Sequence, residues 1–467
     1  MGVLYHPWRP LSALIPQPLL DMLHMARKRY AVVGTGGRSN MYTQAILRDY
    51  REQTELVGLC DLNQHRMAWY NQQFAEKHQA APIPTYPAHE FERMIREQKP
   101  DVVIVTSIDR THHRYICQAM ELGCDAVTEK PMTIDAAKCQ QIIDTVQRTG
   151  KQLTVTFNYR YAPRNSKVKE VLQSGVVGQV LSVHFEWLLD TSHGADYFRR
   201  WHRDKRNSGG LLVHKATHHF DLVNWWLASV PQMVFARGDL RYYGRENAEE
   251  RGVTEFYQRS RGFPQAAKDP FALQFNPDNK TLAGLYYDAE KEDGYYRDQS
   301  VFGDGISIED TMAVLVEYRN RAVMTYSLNA HCPWEGYRVC FNGTKGRLEY
   351  NVVETPFVKR EGEDLSVFGM RELGVDKRSM VPEIIFQAHF GKPQVVEYEQ
   401  GNLGGHGGGD ARLMHDLFLG ADHDPLGRAA GLADGVASIL TGIAANESLK
   451  TGLPVRADQL IHWPAKG

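Results

Sequence analysis

The apolar positions of this chain follow two successive rhythms. Between Tyr30 and Arg160, short solid runs of β-formers alternate with stretches whose apolar residues recur every three to four positions. "YAVV" leads into an amphipathic stretch over Asn40–Arg51, "ELVGLCD" into "RMAWYNQQFAEKH", and "PDVVIVTS" into "HRYICQAMELG". "CDAVTEKP" leads into "DAAKCQQIIDTVQRTG", and "QLTVTFNYR" closes the series. Solid strands separated by amphipathic helices predict a parallel sheet with helices on both faces.

After Arg160 the period changes to two. "VLSVHFEWLLD", "DTMAVLVEYRN", "RAVMTYSLNA", "YRVCFNGTKGRLEYN" and "EIIFQAH" alternate apolar with polar residues. They predict an open, mostly antiparallel sheet in an α+β domain over 158–430. "RAAGLADGVASILTGIAANESLKTG" predicts a last helix within a C-terminal segment, 431–467. Residues 1–29 read as an N-terminal extension with a short helix near Leu19–Arg27. The stretch 237–304 is polar, aromatic and poorly periodic. It is longer than an ordinary loop, which points to function or to packing on a neighbour.

Composition narrows the function classes. The 467 residues carry a formal net charge of -2, which gives no electrostatic case for nucleic acid or an anionic membrane. No apolar run reaches the length of a membrane span. The six cysteines show no C-x-x-C spacing, so reduced thiols and a cytoplasmic location are expected.

The first run ends in "GTGGRS". Gly34, Thr35, Gly36, Gly37, Arg38 and Ser39 form a G-x-G-x-x-S turn between a strand and a helix. Glycines there allow a tight turn and a close approach to a pyrophosphate, at a helix N-terminus that favours anions. Asp61 ends the second strand, where a carboxylate accepts both adenosine ribose hydroxyls and repels a 2'-phosphate. Residues 30–157 are therefore expected to form a Rossmann domain binding NAD in preference to NADP. Arg38 and Arg66 are the residues that could instead serve a phosphate.

"DRTHHRYICQAMELGCDAVTEKPM" resembles the glucose–fructose oxidoreductase / inositol dehydrogenase / rhizopine-catabolism (Gfo/Idh/MocA) family. Ser107, Asp109, Thr111, His112, Glu129, Lys130 and Pro131 carry the likeness, and Ile108 stands where the family usually has proline. The likeness continues through "NYRYAP" (Asn158, Arg160, Pro163), "SGVVGQVLSV" and "ADGVASILTGIAANESLKTGLPV". It implies cofactor contacts from Ser107, His112, Glu129 and Lys130, and dimers or tetramers built through the C-terminal sheet. Lys130 also has a role by chemistry alone. An ammonium at a strand end beside the nicotinamide can bind a substrate hydroxyl and stabilise the developing alkoxide.

"GGLLVHKATHHFDLVNWWL" holds His214, Lys215, His218 and His219. Aligned with the family pattern, His218 is the acid/base residue, and His214 occupies a position where relatives carry an acid. His214, His218, Asp221 and Trp225 fall on one stripe of a continuous helix. The His214/His218 spacing also suits a metal. No third ligand can be named and Lys215 would repel a cation, so no metal is expected. Arg160, Tyr197, Trp201 and Lys215 join Lys130 and His218 as candidate substrate contacts, since aromatic rings and cations suit a sugar.

The expected activity is hydride transfer between NAD and a hydroxyl of a sugar, glycoside or cyclitol. One alternative is an NAD-dependent glycoside hydrolase or lyase working through transient oxidation and elimination. Another is a non-catalytic NAD-bound scaffold.

Overall fold

The computed structural model describes residues 27–274, 276, 278–358, 383–399, 408–420 and 423–462. The helix read near Leu19 and most of the glycine loop at 401–410 lie outside them.

Six strands form the first sheet: β1 (Lys28–Val33), β2 (Thr54–Asp61), β3 (Thr85–Pro87), β4 (Val102–Val105), β5 (Asp125–Thr128) and β6 (Leu153–Val155). Their order is β3-β2-β1-β4-β5-β6, and every neighbouring pair is parallel. All four residues of β4 are buried, which is why its sequence is a solid apolar run. The strand order reverses between β1 and β4, so a crevice opens at their C-terminal ends, where ligands of such sheets bind.

The second sheet has nine strands: β7 (Val180–Asp190), β8 (Pro231–Asp239), β9 (Thr311–Tyr318), β10 (Val323–Cys332), β11 (Glu335–Gly343), β12 (Gly346–Thr355), β13 (Glu383–Ala388), β14 (Gln394–Val395) and β15 (Val455–Arg456). The order is β14-β13-β12-β11-β7-β10-β9-β8-β15. β7 and β10 pair parallel, and the other neighbours pair antiparallel. Period-two alternation decides its faces. Val183, Phe185 and Trp187 of β7 turn into the core, while Leu315 of β9 and Val323 of β10 stay exposed on the opposite face.

Four helices matter for the site: α1 (Ser39–Gln44), α2 (Leu211–His214), α3 (Thr217–Leu227) and α4 (Leu432–Thr451). α4 packs on β8 and α3, and β15 closes the sheet beside β8. The C-terminal segment read as separate from residue 431 is thus built into the second domain.

The histidine stretch is not one helix. It breaks at Lys215–Ala216. The Ala216 N–H returns to the Leu211 carbonyl at 2.8 Å, skipping Leu212. The Leu212 carbonyl instead faces Gly442 of α4, where a Cβ would lie 2.3 Å from that oxygen. Residues 217–226 are all buried, so α3 has no solvated face.

Candidate active site

A cavity of about 760 Å³ lies at the C-terminal edge of β1, β4 and β5, closed on the other side by α2, α3 and the helix His193–Arg199. Its nucleotide end is built by the glycine turn. Gly34 has φ +92, and a Cβ there would come within 2.4 Å of the Ser107 nitrogen, so only glycine lets the ends of β1 and β4 meet. A Cβ on Gly36 would meet nothing within 4 Å, which leaves open space where a pyrophosphate must approach. These residues fit a dinucleotide.

Asp61 is fixed in place by three hydrogen bonds. It accepts the Thr35 N–H and, at 2.9 Å, the Thr35 hydroxyl, while Asn63 N–H donates to its other oxygen at 2.9 Å. Thr35 and Ser39 do not line the cavity. They shape the turn from beneath, Ser39 by donating to the Gly36 carbonyl at 2.8 Å. Both arginines that could have taken a phosphate are matched to carboxylates. Arg38 lies 2.6 Å from Glu129, and Arg66 lies 2.7 Å from Asp293.

Asp293 comes from the long stretch 237–304. Tyr286, Tyr295 and Arg297 of the same stretch also line the cavity. The Tyr286 hydroxyl accepts the Gly37 N–H at 3.2 Å, and Asn63 donates to the Ala289 carbonyl at 2.8 Å. The stretch therefore lies across the nucleotide turn. Its lack of period reflects contacts divided between its own sheet, through Tyr242 and Tyr243, and the nucleotide turn.

Two strands along from the glycine turn, β5 runs into Glu129 and Lys130. Burial would raise the Glu129 carboxyl, but Arg38 and the Tyr42 hydroxyl, 2.7 Å away, hold it below its ordinary value. Lys130 donates to the His214 carbonyl at 3.2 Å. Burial brings its ammonium down to about 8, with Asp109 and Glu129 opposing the fall. His112 spans two strand ends, with the Pro131 carbonyl 2.8 Å from Nδ1 and the Ser107 carbonyl 2.9 Å from Nε2.

His214 stands where a carboxylate was expected, and it has recruited one. Its Nδ1 lies 2.6 Å from Asp109 Oδ2, across the domain boundary. Burial lowers the His214 imidazole and raises the Asp109 carboxyl, so the pair is held close to neutral around one proton. His218 lines the same cavity and stacks on Tyr159, ring centroids 4.4 Å apart.

The candidate substrate contacts divide. Tyr197, Trp201 and Lys215 line the cavity with Lys130 and His218. They sit on short helices and turns rather than on an exposed loop. Arg160 does not join them. Its guanidinium is buried, bonded to Asp221 at 2.8 Å and to Asp434 at 2.8 Å, and ties α3 to α4. His202, stacked on Trp201 at 3.6 Å, and Asp109 complete the wall. Asp109 was visible as part of the family pattern. The unusual length of 237–304 was the one sign of Tyr286 and Asp293. Among the described residues, no three His, Cys, Asp or Glu side chains gather around a common point. Among the same residues, no helix is long and apolar enough to cross a membrane.

A 3-2-1-4-5-6 parallel sheet, a glycine turn backed by Asp61 and a buried lysine facing histidines define an oxidoreductase with an NAD-binding domain. Comparison with known proteins agrees. Residues 28–157 match the description "Oxidoreductase family, NAD-binding Rossmann fold", and 169–456 match "Oxidoreductase family, C-terminal alpha/beta domain". The chain belongs to the Gfo/Idh/MocA oxidoreductase family. It is 35% identical over 455 residues to the Bacillus subtilis oxidoreductase YteT, covering 93% of this chain and 99% of that protein. It is 29% identical over 197 residues to glycosyl hydrolase family 109 protein 1 of Akkermansia muciniphila, 40% of each chain. It is 30% identical over 152 residues to the D-glucoside 3-dehydrogenase of Escherichia coli, 32% of this chain and 41% of that one. An Agrobacterium radiobacter oxidoreductase solved with NAD+ and L-tartaric acid shares the fold, with TM-score 0.59, 14% identity and coverage of 93% and 100%.

Proposed function

We propose that this protein transfers hydride between NAD and a secondary hydroxyl of a sugar, glycoside or cyclitol. The observation that carries the reading is the cluster of Lys130, His214–Asp109 and His218 at the strand ends beside the nucleotide turn. Bound NAD supplies the acceptor for the hydride leaving the carbinol carbon. Lys130 binds the hydroxyl oxygen and stabilises its developing negative charge. His214 takes the acid/base role that the family pattern gives to His218, accepting the hydroxyl proton at Nε2, because Asp109 fixes its orientation as a positioning residue. His218 offers a second imidazole to the same substrate.

Two imidazoles also suit a redox-neutral glycosidase, in which a neighbouring C–H proton is removed as well. The likeness to a family 109 glycosyl hydrolase supports this second reading. The two separate in one assay, in which the protein and NAD are incubated with free sugars, cyclitols and nitrophenyl glycosides. Growing absorbance of reduced nicotinamide is expected. Release of nitrophenol without it would favour the hydrolase, and a panel that yields neither product would remove both readings.

NAD is the proposed cofactor because Asp293 neutralises the arginine nearest Asp61. Substituting Asp293→Asn should free Arg66 and strengthen NADP binding about tenfold, the value of one charged hydrogen bond. Titration of both cofactors by fluorescence checks this, and an unchanged NADP affinity would count against it. The open face bearing Leu315 and Val323 supports assembly through the second sheet.

A further inference from the structure

The cations around the cavity are mostly matched by carboxylates of the protein. Arg38 faces Glu129, Arg66 faces Asp293, and Arg200 and Arg297 share Asp196. Lys130 has a hydrogen bond and two neighbouring acids. Lys215 is different. It is 5% exposed and lines the cavity, yet among the described residues its ammonium has no hydrogen bond and no ion pair. It rests 4.8 Å over the ring of Trp187, which is itself fixed by stacking on His219 and Tyr337. The acids that face it are engaged elsewhere, Glu335 by His193 at 2.8 Å and Glu354 by Arg164.

Glu335 and Glu354 act on this ammonium only at a distance; a buried cation without a direct ion pair is costly, and a methionine would cover the same ring at no such cost. The compensating charge is therefore to be sought in the ligand. Lys215 directly follows His214, whose carbonyl holds Lys130, so the anion would sit close to the reacting hydroxyl. A lysine ammonium is a point charge that receives carboxylate or phosphate, and a carboxylate is the smaller group to fit beside the reacting hydroxyl at a buried site.

We propose that the substrate is an acidic sugar, a uronate or aldonate whose carboxylate is received by Lys215 while Lys130 holds the reacting hydroxyl. This rests on the dehydrogenase reading above and narrows it. The test is calorimetric titration of the NAD-loaded protein with D-glucuronate, D-galacturonate and D-gluconate. D-glucose, D-galactose, glucose 6-phosphate and methyl glucuronate serve as comparisons.

At least one acid should bind roughly 10- to 100-fold tighter than its neutral counterpart, the range of a desolvated charged hydrogen bond. That margin should vanish in the methyl ester and in Lys215→Met, and survive in Lys215→Arg. Retained NADH binding shows that Lys215→Met is folded, and the ester comparison needs no variant at all. Neutral sugars binding as well as acids, the phosphate ester binding best, no acid binding, or a margin unchanged in Lys215→Met would each overturn the proposal. Parallel measurement of nicotinamide reduction keeps the two readings apart. Neutral sugars oxidised in preference to acids would defeat the acidic-sugar proposal alone. Acids bound without any hydrogen transfer would defeat the dehydrogenase reading.

Discussion

Replacing Lys130 with alanine should lower kcat roughly a hundred- to a thousandfold, the usual cost of removing a donor aimed at developing oxyanion charge. NADH binding should persist in part, because the glycine turn and Asp61 remain to hold the nucleotide. The pH dependence gives a sharper test. Lys130 acts in its protonated form, and burial brings that ammonium down to about 8. The value of kcat/KM should therefore fall as pH rises through about 8. In Lys130→Arg the guanidinium does not titrate, so the alkaline limb should disappear while part of the activity survives. A limb unmoved by that substitution would show that another group titrates. A Lys130→Ala enzyme with half the original turnover would remove the residue from the chemistry.

Asp221→Ala should destabilise the fold by about 3–5 kcal/mol, because it leaves the buried Arg160 guanidinium without its main partner. Arg160 is 2% exposed and bonds Asp221 through Nε at 2.8 Å. The remaining bond to Asp434 keeps only part of that compensation. Denaturant melts would show the loss as a lower midpoint. Protein that stays folded should keep its KM, since neither residue lines the cavity. A raised KM with unaltered stability would return Arg160 to the substrate site.

These two cases show what the sequence carried and what it could not. The nucleotide turn and Asp61 were legible because a strand, a glycine turn and an acid at a strand end lie within one short stretch. The place of Lys130 on the cavity wall was legible because it follows a solid strand and precedes a proline. The sheets were legible because burial on both faces, or on one, writes a distinct period into the chain. The partner of His214 was not, since Asp109 lies 105 residues away and meets it only across the domain boundary. The helix break was hidden because His214, His218 and Asp221 keep helical spacing, while Gly442, against which the Leu212 carbonyl packs, belongs to α4. Arg160 looked like a sugar contact because an arginine reads alike on a pocket wall and in a core. Its two acids, Asp221 and Asp434, were both in view but could not be paired with it.

The His214–Asp109 contact also bears on how such chains diverge. Asp109 is supplied by the nucleotide-binding half and His214 by the other, so neither half contains the pair. A recombinant that joined this first domain to a relative with an acid at the position of His214 would set two carboxylates against each other. Each half thus supplies one member of the pair, and its geometry depends on both halves folding and docking together.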